Sequence, residues 1–273
     1  MSNTIFNNSD VIKYSSDELD ALRARFEEAF EKEEFKVYMQ FLVDTKTKKV
    51  VSVEALSRWD HPEKGILAPG QFIEDLCHTG LISKLDFYMF EHICRQLEEW
   101  EGTEFSHLHI SCNFTRITLS RNDFVNRIKE ISDKYDFERG KLCIEITEDA
   151  IEKNFEDATI NVEECKKMGF QIALDDLGSG YTSLSNLCDY PIDVVKIDRF
   201  LIAKSDRKRC RDLIDGIIAL ARKLDLKVVC EGVETKEQDD FISGTECDLI
   251  QGWFYSKPMP VEDCEFHFRL SVG

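Results

Sequence analysis

The 273 residues include only 5 prolines, 13 glycines and 3 tryptophans, and 35 basic residues face 53 acidic ones. So little proline and glycine excludes collagen-like and low-complexity architectures. The net charge of −18 sets a field that repels nucleic-acid polymers and anionic membranes. An anionic ligand must therefore be small and met by local cations. No apolar run is long enough to span a bilayer, which argues against direct membrane insertion, and the N-terminus is polar rather than signal-like. No strand-like run is followed by a glycine-rich dinucleotide fingerprint, which argues against a Rossmann domain. The ten cysteines include no CxxC pair. Several lie inside apolar runs, as Cys143 in "KLCIEI" and Cys230 in "KVVCEG", and read as buried thiols of a reducing, cytoplasmic compartment.

What the chain does contain is alternation. Residues 1–14 are polar and expected to be a loose or linking N-terminus, with one domain over 15–273. Ser15 and Glu18 form a capping-box pattern ahead of the stripe Leu19, Leu22, Phe26 and Phe30. Eight strand-like runs follow, at 35–43, 50–59, 108–114, 142–147, 170–175, 193–197, 227–232 and 247–252. Helical patterns lie between most of them, one ending at Gly169 and another opening on a second capping box, Thr235 with Gln238. Strands alternating with helices predict a parallel α/β architecture, and a (β/α)₈ barrel fits the count better than an open sheet.

A barrel of this kind gathers its chemistry at the C-terminal ends of its strands. The polar residues that interrupt the apolar runs fall there: Glu54, Asn113, Glu145, Asp175, Lys196, Glu231 and Gln251. Singly, each has an ordinary explanation. Glu54 or Glu145 would fit an acid paired to arginine between strand and helix, Lys196 a snorkelling lysine, and Asn113 or Gln251 a backbone partner. "DDLGSG" would fit an Asx-type turn. Their coincidence at strand ends predicts one mouth rich in carboxylates with a single lysine. Adjacent Asp175 and Asp176 repel each other unless a cation lies between them. Carboxylates with an amide suit Mg²⁺ or Mn²⁺ rather than zinc, and two such ions can share a bridging carboxylate.

With these motifs assembled, the chain resembles the EAL domain family, bacterial phosphodiesterases acting on cyclic di-GMP. The carriers are Glu54-Ala55-Leu56 in "VEALSRWDHPEKG", "CNFT" with Asn113, "EITE" with Glu145 and Glu148, "DDLGSGYTSL", "VVKID" with Lys196, "EGVET" with Glu231 and Glu234, and "QGWFYSKPMP" with Gln251. The resemblance runs from about residue 20 to about 262, and the ordered set is far more specific than any one motif.

The resemblance implies a modified TIM barrel whose first strand is antiparallel to the others. It implies two Mg²⁺ or Mn²⁺ ions, one held by Glu54, Asn113, Glu145 and Asp175, the other served by Asp175, Asp176 and Glu231. Lys196 would act on the attacking water, with Glu54, Glu231 and Glu148 in the catalytic set. Gln40, Leu56, Arg58, Asn113, Glu234 and Gln251 would meet the substrate. The implied reaction is hydrolysis of cyclic di-GMP to linear pGpG, by a homodimer and behind an upstream sensory or GGDEF domain in larger relatives. The chain departs from the family pattern at Phe41, His78, Leu177 and Ser179, none of them an implied ligand. A non-catalytic cyclic di-GMP receptor is the alternative. A barrel glycosidase is the reading that ignores the resemblance, and it needs neither Lys196 nor the Asp-Asp pair.

Overall fold

The computed structural model of the chain describes residues 14–147, 156–178, 187 and 190–272. Glu148, Ser179 and Cys188 lie outside the described residues. Ser15 caps the first helix, α1 (Ser16–Glu31), and both halves of the box with Glu18 are formed. Thr235 and Gln238 form the second box, at the head of the helix Lys236–Ser243.

All eight strand-like runs are strands of one sheet: β1 (Phe35–Asp44), β2 (Val50–His61), β4 (His109–Asn113), β5 (Leu142–Thr147), β6 (Gln171–Leu177), β7 (Val194–Ile197), β8 (Lys227–Cys230) and β9 (Leu249–Gln251). Two short strands were not anticipated, β3 (Gly65–Leu67) beside β2 and β10 (Met259–Pro260) beside β1. The order β1-β9-β8-β7-β6-β5-β4-β2, with β1 also paired to β2, closes an eight-stranded barrel. Neighbours from β2 round to β9 are parallel, whereas β1 is antiparallel to both β2 and β9. This is the reversed first strand that the resemblance implies.

Period-two alternation splits each strand between two environments. Ile144, Ile172, Leu174, Val195, Ile197, Val228 and Ile250 join the large core between sheet and helices. Leu42, Cys143, Ala173, Val194 and Val229, packed with Leu249, form a separate apolar cluster inside the barrel. Two residues beyond five of these plug residues, on the same face, stand Glu145, Asp175, Lys196, Glu231 and Gln251. The outer layer includes α2 (Ile73–Thr79), α3 (Ile82–Trp100), α4 (Arg116–Leu119), α5 (Phe124–Ser132) and α6 (Glu156–Lys167). No helix among the described residues is long and apolar enough to cross a membrane.

Candidate active site

Counted round the closed sheet, Glu54 (β2), Glu145 (β5), Lys196 (β7) and Gln251 (β9) come from alternate strands, the pattern of a layer in a TIM barrel. All four are buried. Asn113, Asp175 and Glu231 come from the intervening β4, β6 and the end of β8, and are more open to the mouth.

Lys196 Nζ is the hub. It lies 2.6 Å from Glu231 Oε1, 2.7 Å from Glu145 Oε2, and 3.5 Å from both Glu54 Oε2 and Asp175 Oδ1. Glu54 is further held by amides: Asn113 Nδ2 donates to Oε1 at 2.9 Å and Gln251 Nε2 to Oε2 at 2.6 Å. Gln40 enters the same network from β1 by accepting from Gln251 Nε2 at 3.3 Å, while its own amide donates to the Ser256 carbonyl at 2.9 Å.

One ammonium cannot compensate all of these acids. Burial opposes the lysine's charge, but Asp175, Glu145, Glu231 and Glu54 outweigh it and hold Lys196 protonated. Burial also opposes the charge of Glu54, but Lys196 and the two amides prevail and keep its carboxyl below the usual range. The others go the opposite way. Burial pushes Glu145 up to about 8, with Glu54 and Asp175 adding to the shift against the pull of Lys196. Burial likewise raises Asp175 and Glu231. Asp176 rises to about 7 through burial and the neighbouring Asp175 and Asp198.

The Asp-Asp turn is backbone-driven. Asp176 adopts φ +61°, a left-handed conformation that aspartate tolerates, and its N–H donates to Asp175 Oδ1 at 2.9 Å. Leu177 is buried and pairs with Ile197. Gly232, after Glu231, has φ +69°, and an added Cβ would stand 2.3 Å from Arg199 Cβ. The turns after β7 and β8 thus touch at a point where only glycine fits.

Glu54, Leu56 and Arg58 alternate along one face of β2, opposite Gln40, Tyr38 and Lys36 of β1. The Arg58 guanidinium lies 5.4 Å from the centre of the Tyr38 ring, and its Nη1 donates to the Ser57 carbonyl at 2.8 Å. The structure therefore brings together Glu54, Asn113, Glu145, Asp175, Lys196, Glu231, Gln251 and Gln40, with Asp176 adjoining and Leu56 and Arg58 along the wall. Glu234 is exposed on the loop ahead of Thr235, outside the buried ring. His78 faces Glu74 at 3.6 Å, consistent with a surface role. Sequence reasoning missed Tyr38 and Ser256, and it gave no role to Asp198 of "VVKID". Asp198 is 5% exposed and caps the helix Arg199–Ile202 by accepting from Phe200 N at 2.8 Å. An acid two residues after a buried lysine was the available signal.

Among the described residues no group of three or more His, Cys, Asp or Glu side chains is arranged to hold a metal ion, because the acids close on Lys196. The donor chemistry nevertheless fits a hard cation. It is all oxygen, its carboxyls are starved of positive charge, and Gln251 Oε1 is buried without a hydrogen-bond donor. Glu54, Asn113, Glu145, Asp175, Asp176 and Glu231 are the residues that could hold one or two such ions.

The EAL domain model matches residues 23–258. The chain belongs to the EAL domain family. It is 32% identical over 243 residues to the cyclic di-GMP phosphodiesterase NbdA of Pseudomonas aeruginosa, covering 89% of this chain and 31% of that protein. It is 31% identical over 236 residues to the bifunctional diguanylate cyclase/cyclic di-GMP phosphodiesterase MucR of the same organism, covering 86% of this chain and 34% of that protein. The chain thus spans about a third of the length of these relatives. Among solved structures, the MucR phosphodiesterase in complex with cyclic di-GMP superposes with a TM-score of 0.84 at 30% identity, covering 89% of this chain and 99% of that one. The EAL enzyme Bd1971, bound to cAMP and cyclic di-GMP, gives a TM-score of 0.85 at 25% identity, covering 94% and 70%.

Proposed function

We propose that this EAL domain hydrolyses one phosphodiester bond of cyclic di-GMP, giving linear pGpG, with two Mg²⁺ or Mn²⁺ ions held by Glu54, Asn113, Glu145, Asp175, Asp176 and Glu231. The observation that carries the reading is the buried ring of acids around a single lysine at the strand ends. Five carboxyls and one ammonium make a site that lacks positive charge and suits a cation-dependent reaction on a phosphodiester. The names of NbdA and MucR support the substrate.

When bound there, divalent cations supply Lewis-acid stabilisation of phosphoryl charge and acidify a water. The chain's own groups do the rest. Lys196, held protonated among four carboxyl groups, donates to the oxygen of the attacking water and so orients it. Arg58, stacked on Tyr38, presents a fork to a phosphate, while Gln40, Leu56, Gln251 and the exposed Glu234 contact the rest of the dinucleotide. Glu148 is assigned to support of the metal loop on the resemblance alone. A cytoplasmic address, a homodimer and an upstream sensory or GGDEF domain belong to the same reading.

The test is to incubate purified protein with cyclic di-GMP and Mn²⁺ and follow pGpG by chromatography. Turnover that ceases with chelator is the expected result. Tight binding without turnover makes the domain a receptor, and absence of binding removes cyclic di-GMP altogether.

A further inference from the structure

A second buried carboxylate lies beside β4, outside the ring of acids. Asp86 sits on α3, whose remaining buried positions are largely apolar, and is 6% exposed. No basic side chain pairs with it among the described residues. Instead its Oδ2 accepts from the Thr115 backbone N at 3.0 Å, from Thr115 Oγ1 at 2.7 Å and from Thr118 Oγ1 at 2.6 Å. Thr118 Oγ1 also lies 3.0 Å from Ser83 Oγ. Burial pushes the Asp86 carboxyl up to about 6 in spite of these bonds. An acid kept in an apolar helix face at that cost has something to hold.

What it holds is the turn that follows Asn113. Thr115 is the N-cap of α4, a helix of four residues whose cap side chain accepts from no backbone N–H of its first turn, though its Oγ1 lies 3.0 Å from Thr118 Oγ1. The hydroxyl is committed to Asp86 instead. Between Asn113 and Thr115, the Phe114 N–H donates to the Glu145 carbonyl at 3.0 Å, and its ring packs at 5.7 Å from Phe90 and 5.2 Å from Phe124. Three consecutive residues are therefore anchored to different elements: Asn113 to Glu54 on β2, Phe114 to β5, and Thr115 to α3. Asn113 Nδ2 donates to Glu54, so its side-chain carbonyl oxygen is the atom left to serve a cation.

We infer that Asp86 is a positioning residue for the metal centre: through Thr115 it fixes the β4–α4 turn so that Asn113 presents its carbonyl oxygen beside Glu54. This rests on the cation reading proposed above. Partners bonded directly to a ligand typically change metal affinity by about 10–100-fold when lost, and Asp86, acting through the turn at Thr115, belongs at the low end of that range.

The test titrates the whole chain with Mn²⁺ in the absence of substrate, following free Mn²⁺ by electron paramagnetic resonance, with thermal unfolding measured in parallel. Asp86→Asn and Thr115→Val should each weaken Mn²⁺ binding by about tenfold or more. Thr115→Ser, which restores the hydroxyl, should bind as the parent does. Ser83→Ala, which touches the network only at Thr118, should lower the unfolding temperature without moving the Mn²⁺ affinity. If Asp86→Asn fails to fold, Thr115→Val carries the test, because its backbone N–H still reaches Asp86. Variants that unfold earlier yet bind Mn²⁺ as the parent does would overturn the inference and leave the proposed reaction standing. A parent that binds no Mn²⁺ overturns both. A parent that binds Mn²⁺ without hydrolysing cyclic di-GMP removes the reaction only, and the variants' affinities still decide the role of Asp86.

Discussion

Lys196 Nζ lies 2.7 Å from Glu145 Oε2, so a lysine on β7 and a glutamate on β5 meet across β6 inside the barrel. Three further carboxylates stand within 3.5 Å of the same nitrogen. The lysine is thus the internal counter-charge of the mouth and a hydrogen-bond donor at its base. Lys196→Met keeps the length of the side chain and removes the charge. Steady-state kinetics should show kcat falling by about 10²–10⁴-fold, the usual contribution of a positioned acid or base, with KM little changed. An unaltered kcat would take Lys196 out of the reaction and leave it a structural ion pair.

Glu54 joins the second strand to the last by accepting from Gln251 and to its parallel neighbour by accepting from Asn113. Glu54→Gln preserves volume but replaces an acceptor with an amide facing two other amides. Hydrolysis should fall by at least about a hundredfold, and added Mn²⁺ should not restore it. Activity near that of the parent in an assay with excess Mn²⁺ would show that Glu54 is not a ligand.

The barrel was legible in the alternation of eight strand-like runs with helices, and five of the strands carry an apolar plug and a polar residue two positions apart on one face, as in Val194 with Lys196 and Leu249 with Gln251. That spacing marks both the strand and its functional end. The reversed β1 was known only through the resemblance, although a local signal existed. Residues 45–49 alone separate β1 from β2, and a link that short joins antiparallel strands, whereas a parallel pair needs a crossover. Asp86 escaped notice because an acid on a helix reads as solvated, and only the flanking Leu85 and Phe87 betray a buried face. Tyr38 and Ser256 were invisible because their partners, Arg58 and Gln40, lie across the sheet or far along the chain, and pairings of that kind are fixed by register.

The acids of the mouth give stability a definite pH dependence. Glu145 and Asp176, at about 8 and about 7, bind their protons more tightly when folded than when unfolded. Their contribution is complete below the ordinary carboxylate range and is lost as pH rises towards 8. Glu54 titrates below that window, and Lys196 stays charged throughout it. Scanning calorimetry of the metal-free protein should therefore show the unfolding temperature falling between about pH 5 and pH 8. Mn²⁺ should raise it more at the upper end, where no proton has to be displaced from the ligands. An equal Mn²⁺ shift at both ends would mean that these acids are not what the ion binds.

Two glycines with nearly the same φ separate strain from collision. Gly80, which caps α2, has φ +73° and open space where a Cβ would go. Gly232 has φ +69°, but its Cβ would meet Arg199 Cβ at 2.3 Å and Arg199 Cα at 3.1 Å. Alanine at either position forces a left-handed residue and should cost about 1–3 kcal/mol of stability, read from denaturant unfolding. Only at Gly232 must the neighbouring chain also move. That chain is Arg199 and the Asp198 cap, two residues beyond Lys196, while Glu231 is attached directly to the substituted residue. Gly232→Ala should therefore lose hydrolysis well beyond what its stability loss explains, whereas Gly80→Ala keeps the parent's rate at temperatures where it is folded. Matching rates in the two variants would show that the contact between the turns after β7 and β8 does not hold Lys196 and Glu231 in register.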